Sequence, residues 1–321
     1  MSDNFPLLSL EDPDSIIAYV QQAGWMEEVT RVEKAGEGNM NLVVRLHGPS
    51  GSLILKQSRP FVEKYPSIPA PPDRLLVEVA FYEAVGGEPV VRQAMPALIA
   101  VDRAHRIAVM ADLGEASDCT DVYAGAPLEA APLMAWLTAL HDSDHSSELR
   151  DRLRNREMRA LNHAHIFDLP MTGAHGMDLN TVTPGLQQAA ETFRNDTVVQ
   201  ARVSALGERY LDDGPRLLHG DYYPGSWLRT AEGLRIIDPE FGFFGPAEFD
   251  LGVFKAHLIM AGLDASGALE HYGRAFDHEL TDAFAGTEIM RRLIGVAQLP
   301  MNRSLEEKVS LLETSARLIT G

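Results

Sequence analysis

The chain has 321 residues, enough at roughly 150 per domain for one large domain or two lobes, and its 45% hydrophobic and 23% charged residues are the balance of a globular protein with a sizeable core. Acidic residues number 46 against 28 basic ones, a formal net charge of −18, and so acidic a surface repels phosphate backbones and anionic lipid, which sets nucleic acid and membrane surfaces aside as partners. One cysteine, Cys119, excludes an internal disulfide and a multi-cysteine metal cluster, no apolar run approaches the ~18 residues a bilayer span needs, and the acidic start MSDNFPLLSLEDPD is unlike a secretory signal, so a cytoplasmic location is expected.

The first element reads as a helix: Asp12 can cap, Pro13 fits the first turn, and Ile16, Ile17, Val20 and Ala23 recur at helical spacing before Gly24. Residues 28–35, 41–47 and 52–57 then read as three strands joined by the glycine-bearing turns GEGNM and GPSG. The proline-rich YPSIPAPPD at 65–73 is expected to be irregular. Asp73 is placed to cap a helix carrying Leu75, Leu76, Val79, Ala80 and Tyr82. Two further strands are predicted at 97–101 and 106–110. Beyond about residue 114 the pattern turns helical, with apolar periodicity at 128–141, 147–161, 183–211, 247–262, 266–280, 282–298 and 304–319. Short β-like runs at 227–229 and 234–239 interrupt it. A strand-rich start followed by a helical remainder implies an α+β fold with two lobes, residues 1–112 and 113–321, rather than alternating βαβ units.

The chain lacks a G-x-x-x-x-G-K-[ST] loop, a G-x-S-x-G elbow and an H-E-x-x-H pair, which removes P-loop, serine-hydrolase and zinc-protease chemistry of those types. His163 and His165 have no ligand spacing around them and read as structural. The densest signal is His219-Gly220-Asp221-Tyr222-Tyr223-Pro224-Gly225-Ser226 followed by Ile237-Asp238-Pro239-Glu240-Phe241. Phosphoryl transfer needs a carboxylate to orient the attacking hydroxyl and take its proton, together with oxygen ligands that hold Mg2+ against the phosphates. Asp221 stands five residues before Ser226, the kinase spacing of base to metal ligand with serine in place of asparagine, and Asp238 and Glu240 end an apolar strand further along.

Upstream residues fit the same chemistry in chain order. Gly36, Gly38 and Asn39 lie in a turn whose backbone N–H groups could cover nucleotide phosphates, although hairpins use glycine for backbone reasons as well. Lys56 ends the third strand, and Glu78 on the next helix could pair with it to align the phosphates of ATP. Met110, Ala111 and Leu113 at the exit of the fifth strand could offer backbone groups to an adenine edge; an ordinary strand exit reads the same way. Arg291 and Arg292, judged on spacing alone, are a solvated helix face.

The motif His219-Gly220-Asp221 to Ser226 with Asp238-Pro239-Glu240 resembles the aminoglycoside phosphotransferase and choline kinase superfamily, whose fold is protein-kinase-like. Within it, IDPEFGFFGPAEFDLG at 237–252, Gly36-Glu37-Gly38-Asn39-Met40-Asn41 and Met290-Arg291-Arg292-Leu293-Ile294-Gly295 are similar to segments of the methylthioribose kinase family. The resemblance implies an antiparallel N-terminal sheet with a helix and a mostly helical C-terminal lobe. It implies ATP and Mg2+ as cofactors, Asp221 as catalytic base, Asp238, Glu240 and Ser226 as metal ligands, Lys56 and Glu78 on the ATP phosphates, and Arg291 and Arg292 on a sugar acceptor. It further suggests a homodimer. The chain is shorter than typical methylthioribose kinases, with trimmed insertions in the second lobe, and Tyr222-Tyr223-Pro224-Gly225 replaces their usual Leu-His-Thr-Gly. An aminoglycoside or choline-type acceptor, or a nucleotide-binding sensor without catalysis, are the competing readings; a protein kinase is disfavoured by the absent A-P-E segment.

Overall fold

The computed structural model describes residues 5–36 and 40–321, so Gly38 and Asn39 of the glycine turn lie outside the described residues. Helix α1 (Pro13–Gln22) starts as expected, with the Asp12 side chain accepting from Ser15 N. Strands β1 (Arg31–Lys34), β2 (Leu42–Gly48) and β3 (Gly51–Gln57) follow. Next comes a departure: Phe61–Val62 (β4) and Tyr65–Pro69 (β5) pair as a two-stranded ribbon where the prolines were expected to prevent regular structure. A ribbon leaves one edge of each strand unpaired, so a residue without an N–H costs little there.

Helix α2 (Arg74–Ala84) begins where predicted, but Asp73 does not cap it with its side chain; that carboxylate accepts instead from Arg106 Nε at 3.0 Å. Helix α3 (Pro89–Gln93) leads to β6 (Leu98–Asp102) and β7 (Ile107–Ala111), which complete an antiparallel sheet of order β1-β2-β3-β7-β6. Alternation along β3 decides which side chain meets which helix. Leu55 joins Val44, Leu46 and Val109 against Ile16 and Val20 of α1. Ile54 packs with Ala108, Met110, Leu75 and Val79 on the α2 side. Lys56, two residues from Ile54, therefore faces α2 as well.

The remainder is mostly helical: α4 (Ala130–Asp142), α5 (Ser147–Arg152), α6 (Arg156–His163), α7 (Leu169–Thr172), α8 (Leu186–Arg194), α9 (Thr197–Leu211), α10 (Ala247–Ala261), α11 (Ala265–Glu270), α12 (His278–Ile294) and α13 (Leu305–Thr320). The long periodic run at 183–211 is cut by Asp196, which accepts from the N–H groups of Val198 and Val199 to start α9. Asp264 and Asp277 cap α11 and α12, which moves the expected 266–280 and 282–298 boundaries. Five short strands sit among these helices. The expected β10 (Trp227–Thr230) and β11 (Gly233–Ile236) are joined by β8 (Ala116–Asp118), just before Cys119, where no strand was expected, and β9 (Arg216–Leu218) pairs with β12 (Phe243–Gly245). Helix α10 is buried on nearly every side, from Phe249 and Leu251 to Phe254 and Leu258, and forms the centre of the C-terminal core. Among the described residues no helix is long and apolar enough to cross a membrane.

Candidate active site

The loop leaving β9 is fixed by its backbone. Gly220 has φ +84°, and a Cβ there would lie 2.2 Å from the carbonyl oxygen of Phe241, so only glycine fits. Asp250, in the first turn of α10, accepts from His219 N at 2.7 Å and from Gly220 N at 3.0 Å, and His141 approaches its Oδ2 at 3.3 Å. The His219 ring donates from Nε2 to Ile237 O at 2.9 Å and packs edge-on to Phe81 and Trp136. Burial lowers its pKa, which keeps the ring neutral. Tyr222 stacks on Trp136 and donates to Leu133 O. The Ser226 hydroxyl donates to Asp221 O at 3.0 Å, and Ser226 O accepts from Ile237 N at 3.0 Å, which sets Ser226 beside the residue that precedes Asp238.

Asp238 stands at φ +61°, ψ +51° directly before Pro239, a left-handed backbone that a non-glycine residue adopts at a cost of roughly 1–2 kcal/mol. This turn brings its carboxylate to Lys56, whose Nζ lies 2.7 Å from Asp238 Oδ1 and 2.7 Å from Glu78 Oε2. Lys56 and Glu78 are buried, whereas the Asp238 side chain is 47% exposed. Burial pulls the Lys56 pKa down, but the charges of Asp238, Glu78 and Glu240 overcome it and raise it well above the ordinary value. Burial pushes Glu78 up to about 7 despite the neighbouring ammonium. Glu240 is also buried: Asn41 Nδ2 donates to its Oε2 at 2.9 Å, and Arg74 Nε lies 3.3 Å from the same oxygen. Arg74, 1% exposed, also donates to Asn41 Oδ1 and to the carbonyls of Met40, Arg59 and Pro71. It thereby ties the end of the glycine turn to the Asp238-Glu240 loop.

The arginine pair is buried, not solvated: Arg291 and Arg292 are 6% and 5% exposed. Arg291 and Arg292 donate to Asp221 Oδ1 at 3.3 and 3.2 Å, and Arg292 lies over the Tyr223 ring at 4.5 Å. Both also bind Glu288, one turn earlier on α12, at 3.0 and 2.5 Å. His257 Nε2 meets Glu288 at 3.1 Å, and its Nδ1 accepts from the Tyr123 hydroxyl at 2.6 Å.

At the strand exit, Asp112 accepts two bonds from Arg45, at 2.7 and 3.2 Å, and one from Ser52 at 2.6 Å. Met110 is buried beneath Tyr82, and the Ala111 N–H is taken by Ala97 O. Leu113 makes no backbone hydrogen bond to another described residue, so of the three expected adenine contacts its peptide groups are the available ones. Gly36 has φ +74° at the start of its turn.

The structure thus brings Lys56, Glu78 and Asp238 into direct contact, sets Ser226 beside their loop, and joins Asp221 to Arg291 and Arg292. Sequence reasoning missed Asp250, Arg74, Asn41, Glu288 and His257 as contributors. Glu288 was visible in principle, since a glutamate three and four residues before two arginines shares their helix face. Among the described residues no three His, Cys, Asp or Glu side chains lie together as a ready-made metal cage. The all-oxygen donors Asp238, Ser226 and Glu240 suit Mg2+, which binds through one or two carboxylates plus water and substrate phosphates.

A profile of the phosphotransferase enzyme family matches residues 31–286, and the chain belongs to that family. Among solved structures it is similar to a spectinomycin phosphotransferase in complex with ADP and spectinomycin (TM-score 0.58, 12% identity, 98% of each chain covered). It is also similar to a choline kinase from Streptococcus pneumoniae (TM-score 0.55, 13% identity, 96% of this chain and 99% of that one). These likenesses show the protein-kinase-like α+β fold. Curated relatives include methylthioribose kinases from Exiguobacterium sibiricum, 29% identical over 79% of this chain and 66% of the relative, and from Oryza sativa subsp. japonica, 26% identical over 80% and 64%. The match therefore spans just under two thirds of those relatives' length.

Proposed function

We infer that this chain is an ATP-dependent kinase that transfers the γ-phosphoryl group to a hydroxyl of a methylthioribose-like sugar. The observation that carries the chemistry is the joining of Glu78, Lys56 and Asp238 at 2.7 Å contacts, from three elements far apart in sequence. Residues 1–112 serve in this reading as the nucleotide lobe and 113–321 as the catalytic lobe. Lys56, oriented by Glu78, contacts the α- and β-phosphates. Gly36 and its turn cover the phosphates, and Leu113 receives the adenine edge. Asp238, with Ser226 and Glu240, would hold Mg2+, which would supply neutralisation of the phosphate charge. Asp221 has one carboxylate oxygen held by both arginines, which leaves the other to orient the acceptor hydroxyl and accept its proton.

The sugar acceptor is supported by the methylthioribose kinase relatives and by the charges around Asp221. Two arginines and two carboxylates are already matched there, so no unpaired acid is left for a cationic choline or aminoglycoside. A neutral polyhydroxy acceptor fits that balance. The test is ADP release with Mg-ATP against methylthioribose, ribose, choline, homoserine and several aminoglycosides. Turnover with methylthioribose alone is expected. Turnover with a cationic acceptor would discard the sugar, and ATP binding without transfer to any acceptor would favour a sensor.

A further inference from the structure

Glu288 reaches the catalytic loop only through other side chains. It is 1% exposed, and its partners are Arg291, Arg292 and His257. Two cationic and two anionic groups make up this buried knot, the second acid being Asp221. The imidazole and phenol groups packed around the knot add no charge at neutral pH. Burial drives His257 down to about 4 against its bond to Glu288, burial and the Arg291 charge lower His165, and burial raises Tyr123 and takes Tyr223 up to about 12. Glu288 itself is held ionised: burial would raise its pKa, but the two guanidinium groups bring it well below the carboxylate range. Asp221 alone cancels only one arginine.

We propose that Glu288 is a charge-compensating positioning residue, which holds Arg291 and Arg292 onto Asp221 and cancels the positive charge that would otherwise make the acceptor pocket a trap for phosphate. The proposal rests on the reading of this pocket as the acceptor site. A kinase pocket faces a problem that a binding pocket does not: its ligand arrives neutral and leaves with close to two negative charges. Paired guanidinium groups bind phosphate through two parallel hydrogen bonds each, and more strongly where water is excluded. An uncompensated pair beside the transferred group would retain the product, and product release limits the turnover of many enzymes. Glu288 takes one bond from each arginine, so they can orient Asp221 and donate to acceptor hydroxyls without a net charge.

The test titrates inorganic phosphate into the full chain, without nucleotide or acceptor, by calorimetry. Glu288→Gln keeps the side-chain shape and an oxygen that accepts from one guanidinium, but leaves one elementary charge uncovered. Phosphate affinity is expected to rise at least about tenfold over wild type, and to return toward the wild-type value in the double variant Glu288→Gln/Arg291→Gln. Unchanged affinity in a folded Glu288→Gln variant would overturn the proposal. If that variant lacks a cooperative unfolding transition, the double variant should regain one, and added phosphate should restore one in the single variant. Failure of both would equally overturn it. Because the titration involves no turnover, it can fail while the kinase reading stands, and the acceptor assay can fail while the charge compensation stands.

Discussion

Asp221 sits where few residues could replace it. Two guanidinium groups share one of its oxygens, and its backbone carbonyl is fixed by Ser226. Asp221→Asn keeps the shape and removes the proton acceptor. Turnover should fall about 10²–10⁴-fold, the usual contribution of a positioned base, while nucleotide affinity measured by calorimetry stays within a fewfold of wild type. A variant that keeps wild-type turnover would remove Asp221 from the chemistry. Gly220 makes a different demand, since a Cβ there meets the Phe241 carbonyl at 2.2 Å and the backbone is left-handed. Gly220→Ala should lower stability by about 2 kcal/mol or more, read from denaturant midpoints. It should also cost turnover, because the strain falls one residue from Asp221. Cys119, the chain's one cysteine, is fully buried with its pKa pushed up to about 11 by burial, and such a thiol is unreactive.

At the scale of elements, the site depends on how α2, α10 and α12 present their first or last turns to loops. Asp250 places both its oxygens on consecutive backbone N–H groups of the catalytic loop. Asp250→Asn turns one acceptor into a donor facing a donor. It should lower stability by about 1–3 kcal/mol and turnover by more than the change in ATP affinity, both measured against wild type at one temperature. Equal kinetics would mean the loop holds its shape without this cap. The N-terminal strands were legible because glycine-bearing turns bracket them, and the α2 site helix because Leu75, Leu76, Val79 and Ala80 recur at helical spacing around Glu78. The β4–β5 ribbon was not, because its pairing compensates locally for proline residues that argue against a strand. Nor were the breaks before α9 and α12, where single capping aspartates outweigh a continuous apolar pattern.

For the whole molecule, composition and pattern gave the α+β class, and the ordered motifs from Gly36 to Glu240 pointed to phosphoryl transfer. What stayed hidden was burial. Arg291 and Arg292 look like solvent-facing charges until tertiary packing shows Glu288 and Asp221 around them, and periodicity cannot reveal a partner 70 residues away. Burial also governs the pH response. His257 has its pKa pushed by burial from 6.5 to about 4, so the unfolded chain takes up its proton first as pH falls. Its contribution to stability is complete above about pH 6.5 and is lost on the way down to about pH 4, a change on the order of 3 kcal/mol. Glu78 acts in the opposite sense, since burial raises it from 4.5 to about 7 and the folded state loses stability as pH rises across that window. The two are separable: unfolding free energies of His257→Asn between pH 6.5 and 4 should show a flatter acid slope than wild type. Parallel curves would mean His257 does not titrate as its burial requires.

Phosphoryl transfer to a sugar hydroxyl, with Asp221 as the proposed base, can be followed directly. Phosphorus NMR of a reaction containing Mg-ATP, methylthioribose and the purified chain follows donor and product in one sample. A phosphomonoester signal is expected to grow as ADP forms with the wild-type chain and to be absent on the same timescale with Asp221→Asn. ADP and free phosphate without a phosphomonoester, or an equal phosphomonoester signal from the Asp221→Asn chain, would contradict it.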